Sequence, residues 1–258
     1  MIVYYAVGGG LGHLARGMRV IEKLELRDAV IATASPYADR VCKSFVRVPR
    51  GLDGDVAAHR AWLRDLKPER IIADTFPGGI QGELCGLDVP VDYVARLLRW
   101  DAYRAAVPFE LPRIGTTYVV EELTHAPLGN VVPLDLRVPE VDAVAEDDYW
   151  LVVHSGPDDE VRELVELAKA LGKPKRLEVV SRADVWPAST LFPAAAKIVT
   201  AAGFNVMLET EQWRAKHVVV PFARRFDDQF VRAARRKKRL SSANAPGPAA
   251  AMYRNTQQ

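Results

Sequence analysis

Short apolar runs alternate with segments of helical periodicity along most of this 258-residue chain. The first run, residues 2–7 (IVYYAV), precedes a segment with apolar residues at helical spacing, and residues 29–34 (AVIATA) form the next run. Runs of this kind are typical of strands that are buried on both faces of a parallel sheet. The alternation therefore predicts an α/β protein whose parallel sheets carry helices on both faces.

A stretch rich in proline and acidic residues interrupts this alternation. It holds three prolines and one glycine between positions 127 and 139, and the acidic residues 146–148 follow. The alternation then restarts, so we expect a linker between two doubly wound domains. The expected organisation is an N-terminal domain over residues 1–140, a compact second domain over residues 148–240 and a flexible tail over residues 241–258.

Composition narrows the class of protein. Hydrophobic residues make up 49% of the chain, charged residues make up 26%, and the formal net charge is +2. These values suit a soluble globular protein and give no global attraction to nucleic acid. No apolar stretch is long enough to span a membrane and no charged leader precedes the first run, so we expect a cytoplasmic protein. Cys42 and Cys85 lack metal-type spacing, which favours reduced thiols.

Five cations, residues 235–239 (RRKKR), follow one another near the C-terminus. Cations in the last turn of a helix interact favourably with the helix dipole, so this run predicts the solvated end of a helix. The alternative is a local anion site or a peripheral contact with an anionic membrane surface.

A glycine-rich loop follows the first predicted strand. Gly8, Gly9, Gly10 and Gly12 stand directly before the first predicted helix. A backbone without side chains can turn sharply and bring its N–H groups toward an anion at the positive end of that helix. The spacing differs from the dinucleotide fingerprint and from the P-loop. We predict an anion-binding loop, with tight packing between strand and helix as the alternative.

Two residues next to this predicted site are candidate proton acceptors. His13 stands at the start of the first helix, where the positive helix end lowers the pKa of an imidazole and favours the neutral form that a general base needs. Asp74 ends the strand predicted over residues 70–73 and is the second candidate base. Local capping or packing by His13 is the alternative.

The glycine loop and three later segments support a family resemblance. Residues 8–17 (GGGLGHLARG) resemble the N-terminal loop of GT-B nucleotide-sugar glycosyltransferases related to the MurG-type N-acetylglucosaminyltransferases. Residues 200–209, 218–222 and 227–233 resemble the donor-binding region of that group, in the same order. The resemblance implies two Rossmann-like domains in tandem, with the site in the cleft between them.

The resemblance also implies roles for individual residues. In that group, the matching glutamate holds the ribose hydroxyls of the donor, which assigns this role to Glu209. A polar pair contacts sugar hydroxyls, which points to Asp228 and Gln229, and the diphosphate is approached by Gly203 and Asn205. A carboxylate that only accepts hydrogen bonds suits a pair of vicinal hydroxyls. Asp228 and Gln229 suit the cap and the first turn of a helix equally well.

The activity implied is that of a hexosyltransferase that moves a sugar from a nucleotide diphosphate sugar, UDP-linked, to a hydroxyl acceptor. We expect no metal and no other cofactor, because the positive ends of helices can take the electrostatic role of a metal at the diphosphate. Two alternatives stay open. One is a UDP-sugar hydrolase of the GT-B-like type, whose Gly-His-x-x-Arg stretch matches residues 12–16, and the other is a nucleotide-sugar-binding protein without turnover.

Overall fold

A computed structural model describes residues 1–142, 144 and 147–243 of the chain. The strands over these residues are β1 (Ile2–Ala6), β2 (Ala29–Thr33), β3 (Phe45–Arg47), β4 (Arg70–Asp74), β5 (Val91–Ala95), β6 (Ile114–Val119), β7 (Asn130–Pro133), β8 (Asp147–Val153), β9 (Arg176–Val180), β10 (Ala195–Ala201) and β11 (His217–Val220). The helices are α1 (Leu11–Lys23), α2 (Ala38–Val41), α3 (Val56–Asp65), α4 (Trp100–Ala106), α5 (Asp158–Leu171), α6 (Phe204–Glu209) and α7 (Gln229–Ala243).

The strands form two parallel sheets. The first has seven strands in the order β3-β2-β1-β4-β5-β6-β7, and the second has four strands in the order β11-β10-β8-β9. Neighbouring strands pair in parallel in both sheets. The predicted α/β class with a smaller second sheet is therefore confirmed.

The packing of α1 on the first sheet explains why β1 and α1 follow each other so closely. Leu14 and Val20 of α1 are fully buried against Tyr4 and Ile31. Burial of such a side chain stabilises the fold by about 1.5–3 kcal/mol. A Cβ on Gly17 would lie 2.8 Å from the ring of Tyr4, so the helix approaches the sheet closely at a glycine. This packing fixes the start of α1 at the carboxyl end of β1.

Part of the predicted linker forms a strand. β7 lies at the edge of the first sheet and pairs with β6, from Thr116 with Asn130 to Val119 with Pro133. All four residues of β7 are exposed, and a proline is tolerated there because an edge strand leaves half of its N–H groups unpaired. Residues 130–133 of the predicted linker therefore belong to the first sheet.

The end of the chain differs from its prediction in three ways. The sequence predicts a helix from about Asn205 to Trp213, but α6 ends at Glu209. α7 runs to Ala243, three residues into the predicted flexible tail, and the rest of that tail, residues 244–258, lies outside the described residues. Within the cationic run, the side chain of Arg236 is buried and pairs with Glu211, so this run is only partly a solvated helix end.

Among the helices described, none combines the length and the apolar character needed to cross a bilayer.

Candidate active site

The carboxyl ends of both sheets face one cavity of about 300 Å³. Its walls are formed by segments that directly follow β1, β5, β8, β9, β10 and β11. Ligands of open α/β sheets bind at these ends, where loops and helix starts present polar groups. The polar and charged residues that line the cavity are His13, Arg16, Arg96, His154, Ser155, Ser181, Arg182, Asn205, Glu209, Arg224, Asp227 and Gln229.

His13 lies in the first turn of α1 and is held by Asp74 at the end of β4. The distance between His13 Nδ1 and Asp74 Oδ2 is 2.5 Å, which leaves Nε2 available to the cavity. The imidazole also stacks on Phe76, with 6.2 Å between ring centroids. Because an ionised carboxylate only accepts hydrogen bonds, this contact places the proton on Nδ1 and leaves a lone pair on Nε2.

Asp74 is buried and surrounded by donors. The hydroxyl of Tyr4 donates to Oδ1 over 2.7 Å, and Arg16 donates to both carboxylate oxygens over 2.6 Å. Burial raises the pKa of Asp74, but the Arg16 guanidinium and the His13 hydrogen bond outweigh this effect and hold the pKa well below its ordinary value. This arrangement does not support Asp74 as the group that takes a proton from an acceptor. It makes Asp74 the residue that orients His13.

The protonation state of His13 follows from the same contacts. Burial lowers the pKa of His13, and the opposing effect of Asp74 does not compensate for it. Arg16 and Arg96 lower this pKa further. The lowered pKa agrees in direction with the sequence prediction, but burial is a cause that the sequence did not indicate. The imidazole is neutral near pH 7, which is the state that a general base requires.

The glycine loop bends at Gly9 and Gly10 before α1 without a left-handed backbone conformation. None of Gly8, Gly9, Gly10 and Gly12 has a φ angle in the left-handed region. A Cβ on Gly8 would lie 2.0 Å from Cδ2 of His13. A Cβ on Gly10 would meet no protein atom within 4 Å, and Gly10 lines the cavity. Gly8 therefore makes room for the imidazole, and Gly10 leaves the cavity wall free of a side chain.

Three of the predicted donor-binding residues lie on the opposite wall. Gly203 directly precedes α6, and Asn205 Nδ2 donates across the cleft to the carbonyl oxygen of Gly12 over 2.6 Å. Glu209 forms an ion pair with Arg19 of α1. Burial raises the pKa of Glu209, and Arg19 opposes this effect. Asn205 and Glu209 thus also connect the two domains, a role that the sequence did not indicate.

Asp228 and Gln229 lie at the start of α7 in different environments. Asp228 Oδ1 accepts a hydrogen bond from the N–H of Val231 over 3.0 Å, so Asp228 caps the helix, and it does not line the cavity. Gln229 is buried and lines the cavity, and its Oε1 accepts from the N–H of Phe222 over 3.0 Å. The expected sugar contact is therefore not supported for Asp228, whereas Gln229 still has its NH₂ group for a ligand.

The second domain adds a histidine and an exposed aromatic ring to the cavity wall. His154 Nε2 lies 2.7 Å from Glu160 Oε2, and Glu160 also forms an ion pair with Arg224. Burial lowers the pKa of His154. Trp186 follows β9 and is 37% exposed at the cavity wall. The sequence did not indicate that the Trp186 ring belongs to the site.

Arg96 and Asp227 were missed by the sequence reasoning as well. Arg96 Nη1 donates to Asp227 Oδ1, which joins the loop after β5 to the segment before α7. A charged residue directly after a fully buried strand is the signal that marked Asp74, and Arg96 stands one residue past the end of β5. Arg96 therefore carries the same sequence signal as Asp74, whereas Asp227 is marked only as the first residue of the segment 227–233.

Comparisons with known proteins agree on the architecture. No protein-family model matches the chain, and no curated protein matches it. Three similar solved structures are glycosyltransferases. The spinosyn rhamnosyltransferase SpnG, complexed with thymidine diphosphate, has 16% identity and a TM-score of 0.56 over 95% of this chain and 85% of its own. The glycosyltransferase SsfS6 of Streptomyces sp. SF2575, also complexed with thymidine diphosphate, has 13% identity and a TM-score of 0.53 over 86% and 81%.

The third structure is UGT2 of Phytolacca americana, complexed with UDP-2fluoro-glucose and pterostilbene. It has 12% identity and a TM-score of 0.52 over 90% of this chain and 81% of its own. The chain therefore has the fold of GT-B glycosyltransferases, with two Rossmann-like sheets of unequal size.

Proposed function

We propose that this chain is a glycosyltransferase that moves a hexose from a nucleotide diphosphate sugar to a hydroxyl acceptor, and that the donor is UDP-linked. The observation that carries this proposal is the pair formed by His13 and Asp74, which presents a neutral imidazole to the cavity between the two sheets. The similar structures include complexes with thymidine diphosphate and with UDP-2fluoro-glucose, which supports a nucleotide-sugar donor.

The proposed reaction is a single displacement. His13 Nε2 takes the proton of the acceptor hydroxyl while the oxygen of that hydroxyl attacks the anomeric carbon of the donor sugar. The bond between the anomeric carbon and the diphosphate oxygen breaks, and the nucleoside diphosphate leaves with the electron pair. Asp74 keeps the imidazole in the required tautomer and stabilises the imidazolium that forms. Attack opposite the leaving group inverts the configuration at the anomeric carbon.

The second domain provides the groups for the donor. We place the ribose near Glu209, the diphosphate near Gly203 and Asn205, and a sugar hydroxyl on the NH₂ group of Gln229, since all four residues line the cavity. Trp186 offers an exposed ring face at the same wall, and a nucleobase has the flat surface that stacks on such a ring. In this arrangement the backbone N–H groups at the start of α6, next to Gly203, stabilise the departing diphosphate, and we propose that transfer needs no metal.

The test is a measurement of nucleotide release. The protein is incubated with UDP and thymidine diphosphate sugars, with and without a cell extract that supplies hydroxyl acceptors, and mass spectrometry follows the mass gained by the acceptor. We expect release of the nucleoside diphosphate to accelerate when the extract is present, and to continue at the same rate with EDTA. The extract incubated without the protein is the control for nucleotide release by the extract itself.

Two other outcomes contradict the proposal and point to the alternatives. Release that is fast without any extract, and that yields free sugar, indicates a nucleotide-sugar hydrolase. Binding of the nucleotide sugar without release in any mixture indicates a binding protein. If EDTA abolishes nucleotide release, this result contradicts only the proposal that transfer needs no metal.

A further inference from the structure

Two arginines of the first domain reach the cavity beside His13, and the proposed reaction gives neither of them a ligand. Arg16 lies one helical turn after His13 on α1, and Arg96 directly follows β5. Their side chains are 3% and 8% exposed, and both residues line the cavity. Arginines that are this deeply buried are usually fully paired. A free donor group on such a side chain therefore points to a ligand.

Each of these two guanidinium groups has one terminal nitrogen without a protein acceptor. Arg16 uses Nε and Nη2 for Asp74 and Thr75, and Arg96 uses Nε for Thr75 and Nη1 for Asp227. In the part of the chain that the structure describes, no acceptor binds Arg16 Nη1 or Arg96 Nη2. Neither nitrogen belongs to the fully buried polar atoms that lack a partner, so both are accessible to solvent, and both residues line the cavity.

Thr75 holds the two guanidinium groups side by side. Its Oγ1 accepts from Arg16 Nη2 over 2.9 Å and from Arg96 Nε over 3.0 Å. Thr75 has a φ angle of 71°, a conformation that β-branched residues rarely adopt. Backbone strain of this kind persists where the surroundings enforce it and is frequent at ligand sites. Here the carbonyl of Val94 and the hydroxyl of Tyr93 bind the Thr75 backbone on either side.

The charges around the two open nitrogens favour a bound anion. Two neighbouring guanidinium groups repel each other, and their protein carboxylates, Asp74 and Asp227, bind only the other nitrogens. Burial lowers the pKa of Arg96, and the neighbouring Arg16 lowers it further. An oxyanion in contact with Nη1 of Arg16 and Nη2 of Arg96 would accept charge-assisted hydrogen bonds from both groups and reduce this repulsion.

We propose that Arg16 Nη1 and Arg96 Nη2 form an oxyanion subsite beside His13. The ligand is a phosphate-type or carboxylate oxyanion, which two substrates of the proposed reaction can supply: the diphosphate of the donor, or an acidic group of the acceptor. The place of the subsite in sugar transfer rests on the proposed function, but the binding of an anion does not.

The test compares two variants that break the same ion pair. Arg96→Gln removes the guanidinium, and Asp227→Asn removes its carboxylate partner but keeps Arg96. Binding of inorganic phosphate is measured by calorimetry in the absence of any nucleotide. We expect Arg96→Gln to weaken phosphate binding about ten-fold or more, since it removes a charge-assisted hydrogen bond. We expect Asp227→Asn to strengthen it several-fold, because a negative charge next to the anion is lost.

Titration with UDP and with thymidine diphosphate distinguishes the two sources of the anion. If the donor supplies it, Arg96→Gln weakens nucleotide binding, and saturating nucleotide prevents phosphate from binding to the wild-type subsite. If the acceptor supplies it, nucleotide affinity is unchanged in Arg96→Gln, and phosphate still binds to the nucleotide-saturated wild type. Both results support the subsite.

Three results overturn the subsite. The first is that the wild-type protein does not bind phosphate, and the second is that wild type and Arg96→Gln bind phosphate with equal affinity. The third is that Arg96→Gln and Asp227→Asn weaken phosphate binding equally, which is the result expected for a purely structural ion pair. If Arg96→Gln does not fold, the measurement on Asp227→Asn decides alone. Phosphate binding by Asp227→Asn that is unchanged or weaker than in the wild type contradicts the proposal. Phosphate binding by a protein that binds no nucleotide contradicts the proposed function and leaves the subsite standing.

Discussion

At the scale of single residues, burial and paired charges set the ionisation states in the cavity. His13 is neutral because burial lowers its pKa, and Asp74 is ionised because Arg16 and His13 outweigh the effect of burial. The two residues therefore hold different states at neutral pH although they are in direct contact. This difference gives each residue one role: the carboxylate orients the imidazole, and the imidazole has a free lone pair on Nε2.

The pH dependence of the proposed transfer follows from His13. A base is active only when deprotonated, so the rate falls as the pH drops through the pKa of His13. Because burial lowers this pKa, we expect the acid limb of the kcat/KM profile below pH 6.5, the ordinary value for an imidazole. His13→Ala should lower turnover about 100- to 10,000-fold and remove that limb. An acid limb of unchanged position in His13→Ala would assign it to another group.

At the scale of elements, the loop between β1 and α1 has to leave room for the side chain of His13. Gly8 and Gly9 are adjacent, but a Cβ on Gly8 would overlap the His13 ring, whereas a Cβ on Gly9 would meet nothing within 4 Å. The ring cannot move aside freely, since Asp74 holds its Nδ1. Position 8 therefore requires a glycine, whereas position 9 has room for a Cβ, although the two glycines are adjacent in the sequence.

Gly8→Ala and Gly9→Ala form a matched pair of variants. We expect Gly8→Ala to lower turnover about 100-fold, because a displaced imidazole is no longer aligned with the acceptor. Gly9→Ala should keep the wild-type rate. Nucleotide affinity, measured by calorimetry, should be unchanged in both. Equal turnover in the two variants would show that the position of the imidazole does not depend on the missing Cβ.

At the scale of the whole molecule, α7 is bound to the first domain by a buried cluster of charges. Arg232 donates to Glu121 through Nε over 2.6 Å and to Asp227 through Nη2 over 2.8 Å, and Asp227 also pairs with Arg96. Arg232 is 4% exposed, so water does not screen these interactions. This cluster is one of the contacts that join α7 to the first domain.

Removing one member of the cluster should reduce the stability of the whole molecule. Arg232→Met leaves Glu121 without its ion-pair partner, and an uncompensated buried charge costs about 3–5 kcal/mol. We expect this loss in the free energy of unfolding from denaturant titration. Arg235→Gln is the control, because the contact of Arg235 with Glu122 is largely exposed and such pairs contribute about 1 kcal/mol or less. Equal losses in the two variants would show that the cluster adds no stability of its own.

The elements of the fold could be predicted because their signals are local. The apolar runs at residues 2–7 and 29–34 form β1 (Ile2–Ala6) and β2 (Ala29–Thr33), since continuous apolar runs mark strands that are buried on both faces. β7 was missed because an edge strand with exposed valines and a proline has no such pattern. α6 was predicted too long because the chain after Glu209 turns away from the helix axis.

The sequence by itself determined the α/β class, the two parallel sheets and the position of His13 at the carboxyl end of the first strand, because apolar periodicity and glycine spacing act over a few residues. Only the tertiary structure decided which groups are paired. Asp74 reaches His13 across 61 positions in the chain, Arg96 reaches Asp227 across 131, and Arg19 reaches Glu209 across 190. These contacts join residues that are far apart in the sequence, so they exist only in the packed structure.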